Sequence, residues 1–196
     1  MAPTNLAETL AMAMTILAHG AAIGCGLIFL VAGAEKLRHR RLLPGVIANY
    51  RIVPAALAAP LAALLGPLEI VLALALLASG LGWNAPLADF AAAALLLVFA
   101  AAMATNLVRG RREITCGCGR LDLRQTLRWS FVARNLLLAA LLGAAGANAL
   151  LAPSATLDAL ALTSAIFAGL AGWIAYHLFQ TLGELDAAAA TLGRRH

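Results

Sequence analysis

Charged residues are scarce in this sequence. Asp, Glu, Lys and Arg fill only 12% of its 196 positions, about half of the fraction that a soluble domain carries. Hydrophobic residues make up 63%, and the mean hydropathy is +0.90. Several uncharged runs are long enough to cross a hydrocarbon core of about 30 Å, which takes about 20 helical residues. The composition therefore excludes an ordinary soluble domain and predicts an integral membrane protein.

Basic residues are missing from the N-terminal segment. No Lys or Arg precedes the first apolar run, so the positively charged region of a cleavable signal peptide is absent. We expect the first helix to remain in the mature protein. The net charge of +5 is no indication of a nucleic-acid partner, because the basic residues lie in loops beside apolar runs, as in membrane proteins.

The apolar runs predict an all-α polytopic bundle of about five transmembrane helices, with 1–196 forming a single membrane domain. The expected spans are 10–34, 55–81, 87–108, 129–151 and 157–182. Glycine, proline and asparagine mark the turn after the second span. A longer loop at 109–128 joins the third and fourth spans, and the tail from 183 reads as a surface helix or a frayed end. No internal repeat is visible.

The distribution of basic residues predicts the orientation. Eleven Lys and Arg residues fall in the 36–54 connection and the 109–128 loop, against none in the N-terminal segment and the two other turns. The positive-inside rule then places the N-terminus outside, and the C-terminus and the 109–128 loop on the cytoplasmic side of a bacterial inner membrane. Trp83 and Trp129 fall at span ends, where interfacial aromatic residues are expected.

Cysteine is rare, with three residues in the chain, yet Cys116 and Cys118 stand one glycine apart in the basic loop. A disulfide closed across one residue would be strained, hence easily reduced and prone to exchange. Gly117 supplies backbone freedom, and the neighbouring arginines favour the thiolate that attacks disulfides. The alternative is that the two cysteines are loop residues without a role. We interpret them as a redox pair.

A metal site is a second interpretation of the same cysteines. Two thiolates suit Cu(I), Zn(II) or another soft ion, but a closed site needs further ligands. His39 lies on the same expected side, and Cys25 would add a third sulfur. The sequence has no second Cys-x-Cys motif and no His pair at ligand spacing. Metal binding or transport therefore stays open as an alternative.

Three further residues stand inside the apolar runs. Cys25 precedes the basic stop by about ten residues, or about 15 Å of helix, so it is a packing residue or a resolving cysteine that the loop would have to approach. Glu69 is an ionisable group near the middle of a span, which is typical of a functional site, and Pro67 should loosen the helix beside it. Arg134 is a candidate counter-charge for Glu69, or it extends to the interface.

Other polar residues have structural interpretations. His19 and His177 lie near span ends or on apolar faces and are read as structural. Asp89 and Asp158 stand at helix starts, where a carboxylate caps the helix or complements its dipole.

The order of these features resembles the MauE family of methylamine utilisation proteins, which are related to DoxX-like membrane proteins. The resemblance covers roughly residues 20 to 145. It rests on Phe29, on Gly33 to Leu37 with Glu35 and Lys36, on Tyr50 to Pro54, on Pro67 to Glu69, on Asn106 to Arg111, on the Cys-Gly-Cys motif, and on Arg134 with Asn135.

The resemblance implies a small helical bundle that works with a thioredoxin-like partner, MauD, in forming disulfides during maturation of a secreted client enzyme, methylamine dehydrogenase. It also implies a core of four helices similar to the vitamin K epoxide reductase bundle, with one extra helix, and it makes a quinone a candidate cofactor. Carried over by position, Cys116 and Cys118 are the redox pair, and Glu69, Arg134 and Asn135 are supporting polar residues. Glu35 and Lys36 join that set.

The predicted orientation conflicts with a periplasmic client. A re-entrant loop, an inverted topology, or passage of electrons across the membrane between two thiol pools would each resolve the conflict. A transmembrane conduit for reductant is therefore an alternative function. A non-catalytic membrane scaffold for a partner enzyme is another.

Overall fold

The computed structural model describes residues 5–114, 127–151 and 157–193, with side chains up to residue 182. Every regular element in these ranges is an α-helix. The six helices are α1 (Leu6–Arg38), α2 (Leu43–Tyr50), α3 (Ala55–Gly80), α4 (Pro86–Val108), α5 (Trp129–Leu151) and α6 (Ala159–Gly193). All but α2 contain a stretch long and apolar enough to cross a membrane, which confirms the predicted all-α bundle of about five spans.

Local sequence signals set the helix boundaries. Asn5 caps α1 by accepting a hydrogen bond from the backbone N–H of Glu8 at 2.9 Å, as an N-cap asparagine does. Pro86 occupies the first turn of α4, where the missing N–H of proline costs nothing. Pro60 and Pro67 lie inside α3, yet α3 is one uninterrupted helix. The structure thus shows no break at Pro67.

The short helix α2 was not predicted. The sequence pattern indicates no helix in the 36–54 connection, whereas 43–50 are helical and are followed by Arg51, whose backbone is left-handed with φ of 50°. Leu43 is buried and packs against Ala62 of α3, with Val46 and Ile47 beside it. Eight residues, with Pro44 in the first turn and Pro54 four residues after the end, give too little periodicity for a sequence-based prediction.

Helix α1 packs against α3, α5 and α6, and α4 packs mainly against α5. Small residues let the backbones approach closely, as is common between membrane helices. A Cβ atom added to Gly33 would lie 3.0 Å from the carbonyl oxygen of Gly66, and one added to Gly24 would lie 2.9 Å from that of Gly169. The first contact sets α1 against α3 in antiparallel register and brings Lys36 opposite Glu69, and the second sets α1 against α6.

The two ends of the bundle differ in charge. We call the end at which α3 and α5 begin and α4 ends the basic end, because Arg51, Arg109, Arg111, Arg112 and Arg128 lie there. The sequence has no Lys or Arg in 5–35, 52–108 or 135–193. The opposite end is formed by the start of α1, the α3–α4 turn and the start of α6. We call it the uncharged end because the described residues there include no Lys or Arg, although the acids Glu8, Asp89 and Asp158 lie there.

Candidate functional site

The Cys116–Cys118 pair lies outside the described residues. The structure does describe both ends of the loop that carries it. The N–H of Leu127 donates a hydrogen bond to the carbonyl oxygen of Arg112 at 3.0 Å. Leu127 is buried in a cluster with Met103 and Phe131, and Ile114 packs against the same cluster. Segment 115–126 therefore begins and ends at one place, at the basic end of the bundle.

Arg111 ties this loop base to α2. Its guanidinium donates to the side-chain oxygen of Asn106 at 3.0 Å and to the carbonyl oxygens of Tyr50 at 3.3 Å and Asn49 at 2.8 Å. Asn106 is fully buried. We call this set the Arg111 clamp. Asn106 and Arg111 belong to the residues that carry the family resemblance, but the sequence predicted no role for them. The sequence feature that could have indicated a buried polar contact is Asn106, a polar residue at the end of an apolar run.

Lys36 and Glu69 form a buried ion pair inside the bundle. The Lys36 ammonium lies 2.8 Å from one carboxylate oxygen of Glu69 and 2.7 Å from the other, and both side chains are 3% exposed or less. The ammonium also lies 5.7 Å from the centre of the Phe99 ring. Glu69 is thus compensated by Lys36 and not by Arg134, the counter-charge that the sequence suggested. Lys36 belongs to helix α1, although the orientation prediction counted its charge with the 36–54 connection.

Arg134 and Asn135 lie beside this pair. Lys36, Glu69, Arg134 and Asn135 all line one small cavity of about 20 Å³, together with Phe99 and Tyr176 among others. The Arg134 guanidinium sits over the rings of Tyr176 at 4.8 Å and Phe131 at 5.2 Å and donates to the side-chain oxygen of Asn135. The structure therefore brings four predicted supporting residues together.

Glu35 stands apart from that group. Its carboxylate lies 3.3 Å from Nδ1 of His39, in a partly exposed pair one helical turn apart. His39, which the metal interpretation needed, is thus beside Glu35. Within the described ranges, no three or more His, Cys, Asp or Glu residues form a group that could hold a metal ion.

Cys25 is buried in the main hydrophobic core, 3% exposed, with Phe29, Leu72, Leu76 and Leu96 among its neighbours. Eleven residues of α1, about 16 Å of helix, separate it from Lys36. The sequence placed it well inside the membrane, and its burial agrees with this depth. Its surroundings in the core are those of a packing residue.

An apolar cavity of about 420 Å³ adjoins the ion pair. It lies between α2, α3 and α4, and its lining includes Val46, Leu65, Leu68 and Phe99, with Lys36 at its edge. Its volume and apolar walls are typical of small-molecule sites, so these residues fit the ring of a lipid-soluble quinone.

A second polar group lies toward the uncharged end. Asp89 is 1% exposed and accepts a hydrogen bond from the Ser79 hydroxyl at 3.2 Å. The first predicted role, capping of α4, is wrong, since the residue before α4 is Ala85 and no side chain caps that helix. The alternative agrees with the structure, because Asp89 lies in the first turn of α4, where a carboxylate complements the helix dipole; its side chain is buried in the bundle. Asp158 does cap α6, accepting from the N–H of Ala161 at 2.7 Å.

His19 lies 3.1 Å from the carbonyl oxygen of Gly80, and His177 packs edge-on against Trp173 and Tyr176.

An all-helical chain with five membrane-length helices and a buried ion pair between two of them is a multi-pass membrane protein. The family model of methylamine utilisation protein MauE matches residues 14–148. The chain therefore belongs to the MauE family, which confirms the resemblance drawn from the sequence.

Curated relatives extend over most of the chain. Methylamine utilization protein MauE of Paracoccus denitrificans is 40% identical over 162 residues, which are 83% of this chain and 84% of that protein. The MauE protein of Paracoccus versutus is 37% identical over 161 residues, 82% of this chain and 83% of its own length. No solved structure matches, so the likeness to the vitamin K epoxide reductase and DoxX bundles stays a prediction.

Proposed function

We propose that this protein exchanges disulfides at a bacterial inner membrane during methylamine utilisation, with Cys116 and Cys118 as the redox pair. Its partner would be a thioredoxin-like protein, and its client a secreted enzyme that needs disulfides. Membership of the MauE family supports the pathway. The observation that supports the chemistry is the closed loop base, because the hydrogen bond from Leu127 to Arg112 brings together the described residues on either side of the Cys-Gly-Cys segment.

The proposed exchange balances as follows. A thiolate of the partner attacks one sulfur of the Cys116–Cys118 disulfide, that S–S bond breaks, and a mixed disulfide forms while the other cysteine leaves as a thiolate. The second thiolate of the partner then attacks the mixed disulfide. The partner departs as a disulfide and the pair remains as a dithiol, so two electrons have passed to the pair. The same steps in reverse oxidise the pair.

The ion pair supports this function by positioning. Phe99 lies near the Lys36 ammonium and also packs against the cluster that holds Leu127, Ile114 and Met103. Lys36 and Glu69 thereby fix α1 and α3 beneath the loop base. A quinone bound in the adjoining apolar cavity would serve as a two-electron acceptor, with Val46, Leu65 and Phe99 in its walls.

Orientation favours a second candidate, a conduit for reductant across the membrane. All basic residues of the described loops lie at the basic end, which the positive-inside rule assigns to the cytoplasm. The redox pair would then meet a cytoplasmic thiol pool, and electrons would have to cross the bundle to serve a periplasmic client.

Trapping of mixed disulfides tests the exchange. With a thioredoxin-like partner that lacks its resolving cysteine, the wild-type chain should form a covalent complex detectable on a non-reducing gel. Cys116→Ser and Cys118→Ser should each abolish client maturation, whereas Cys25→Ser, a change in the core away from the loop, serves as the matched control. Normal maturation in both single variants would contradict the proposal.

The cysteine variants also distinguish the exchange protein from a membrane scaffold and from a soft-metal protein. A scaffold predicts that the Cys116→Ser, Cys118→Ser double variant still supports the client enzyme. A soft-metal protein predicts bound metal in anaerobically purified reduced chain, lost in that double variant.

A further inference from the structure

We propose that Asp89 is a proton-binding site, reached from solvent through a water-sized cavity beneath the α3–α4 turn at the uncharged end. The site is separate from the Lys36–Glu69 pair. His19 in its wall precedes Lys36 on α1 by 17 positions, or about 25 Å of helix. Neither the family assignment nor the proposed exchange assigns a role to it.

The Asp89 carboxylate is buried and incompletely bonded. One oxygen accepts from the Ser79 hydroxyl, while Oδ1 is buried and has no hydrogen-bond partner within the described part of the chain. Helix α5 closes over it at Gly146, where an added Cβ would lie 3.3 Å from the Asp89 Cβ. A buried carboxylate oxygen without a donor is strongly disfavoured while it carries charge.

Asp89 also lacks the compensation that Glu69 has. Lys36 neutralises Glu69 at 2.7 Å, whereas all Lys and Arg residues of the described ranges lie from 36 to 51 or from 109 to 134, none of them on the flanks of Asp89. An acid inside a membrane helix faces a cavity or a partner. With no Lys or Arg at this end of the described chain, the simplest compensating cation is a proton.

The cavity supplies a path for that proton. Its volume of about 50 Å³ admits water but no organic ligand. Its walls run from the exposed turn residues Gly82 and Asn84 to the buried Asp89, with Thr15, His19 and Asn148 on the way. Polar walls of this kind hold water well, since each molecule needs two to four hydrogen-bonding partners.

The groups that face Asp89 are few. Helix α1 contributes His19 and, six residues deeper and in the cluster with Ala92 and Ala93, the thiol of Cys25. Helix α3 contributes the Ser79 hydroxyl and α5 the amide of Asn148. Glu8 and Asp158 stand at the same end but at exposed helix starts. Because the Gly80 carbonyl oxygen can only accept, Nδ1 of His19 is the donor of the hydrogen bond between them.

Infrared difference spectroscopy of the purified full chain in lipid, titrated with acid and base, tests the site. We expect a carbonyl stretch of a protonated carboxylic acid that disappears at high pH, is lost in Asp89→Asn, and is kept in Glu69→Gln. His19→Gln should move its titration midpoint. A spectrum without this band, or a band that persists in Asp89→Asn, overturns the proposal.

Two further measurements cover the remaining cases. If Asp89→Asn does not fold, Ser79→Ala keeps the acid and removes its described donor, so the band should shift; an unshifted band overturns the assignment. If the carboxylate stays ionised at every pH and sodium chloride shifts its stretch saturably, a metal cation and not a proton is the ligand, and the proposal is wrong. Exchange by Cys116 and Cys118 is measured separately, so either idea can fail without the other.

Discussion

At the scale of single residues, two acids are buried among the described residues, Glu69 and Asp89, and their hydrogen-bond partners differ. Glu69 shares both of its oxygens with Lys36, which comes 33 residues earlier, and Asp89 has only a serine hydroxyl. The sequence singled out Glu69, because one acid in an apolar run is conspicuous. The sequence alone could not identify Lys36 as the partner of Glu69, because the pairing depends on which faces of α1 and α3 meet. Those faces are set by the close backbone contact between Gly33 and Gly66.

Removal of one member of the ion pair should destabilise the fold more than removal of both. Lys36→Met leaves a buried carboxylate without its cation, which costs about 3–5 kcal/mol, whereas replacing both members with apolar side chains is often near neutral. We expect the double variant Lys36→Met, Glu69→Leu to unfold in detergent at a higher denaturant concentration than Lys36→Met alone.

The partly exposed Glu35–His39 pair provides the control. Glu35→Gln removes an ion pair of the kind that contributes about 0–1 kcal/mol, so its unfolding curve should stay close to that of the wild type. Strictly additive effects of the two changes at Lys36 and Glu69 would contradict a coupled pair.

At the scale of helices, the five spans were predictable and the connections between them were not. Span length follows from bilayer thickness, so the boundaries expected at 55–81 and 129–151 agree with α3 and α5 within a residue. Helix α2 is held by tertiary contacts, with Leu43 against Ala62 and the Arg111 clamp at its C-terminal end. Neither contact has a local sequence signature.

Arg111→Ala should release the C-terminal end of α2. Hydrogen bonds from a charged group contribute about 1.5–3 kcal/mol, and here they hold the carbonyl oxygens of Asn49 and Tyr50. We expect amide hydrogen exchange in 43–50 to accelerate by about tenfold or more, as local opening becomes easier. Arg112→Ala, the same charge change at an exposed neighbour, should leave that exchange nearly unchanged; equal acceleration in both variants would show that the effect is one of charge alone.

At the scale of the whole molecule, the charge asymmetry of the two ends is the strongest physical constraint on function. The basic end holds the base of the dithiol loop, and the uncharged end holds Asp89 and its cavity. The positive-inside rule predicts that the proposed exchange faces the cytoplasm and that the proposed proton site faces the periplasm. A periplasmic client would then be served only by electrons that cross the bundle.

Labelling with a membrane-impermeant maleimide decides between these arrangements. We expect reduced Cys116 and Cys118 to react in inverted membrane vesicles and not in intact spheroplasts. Cys25, 3% exposed in the core, should react in neither once the loop cysteines are changed to serine. In that background Asn84→Cys, in the exposed α3–α4 turn, should react only in spheroplasts. The loop base at Arg112 and Leu127 lies at the end of the bundle opposite Asn84. Labelling of the loop cysteines from the periplasm, with Asn84→Cys labelled from the cytoplasm, would therefore invert the predicted topology and leave direct exchange with a periplasmic partner as the function.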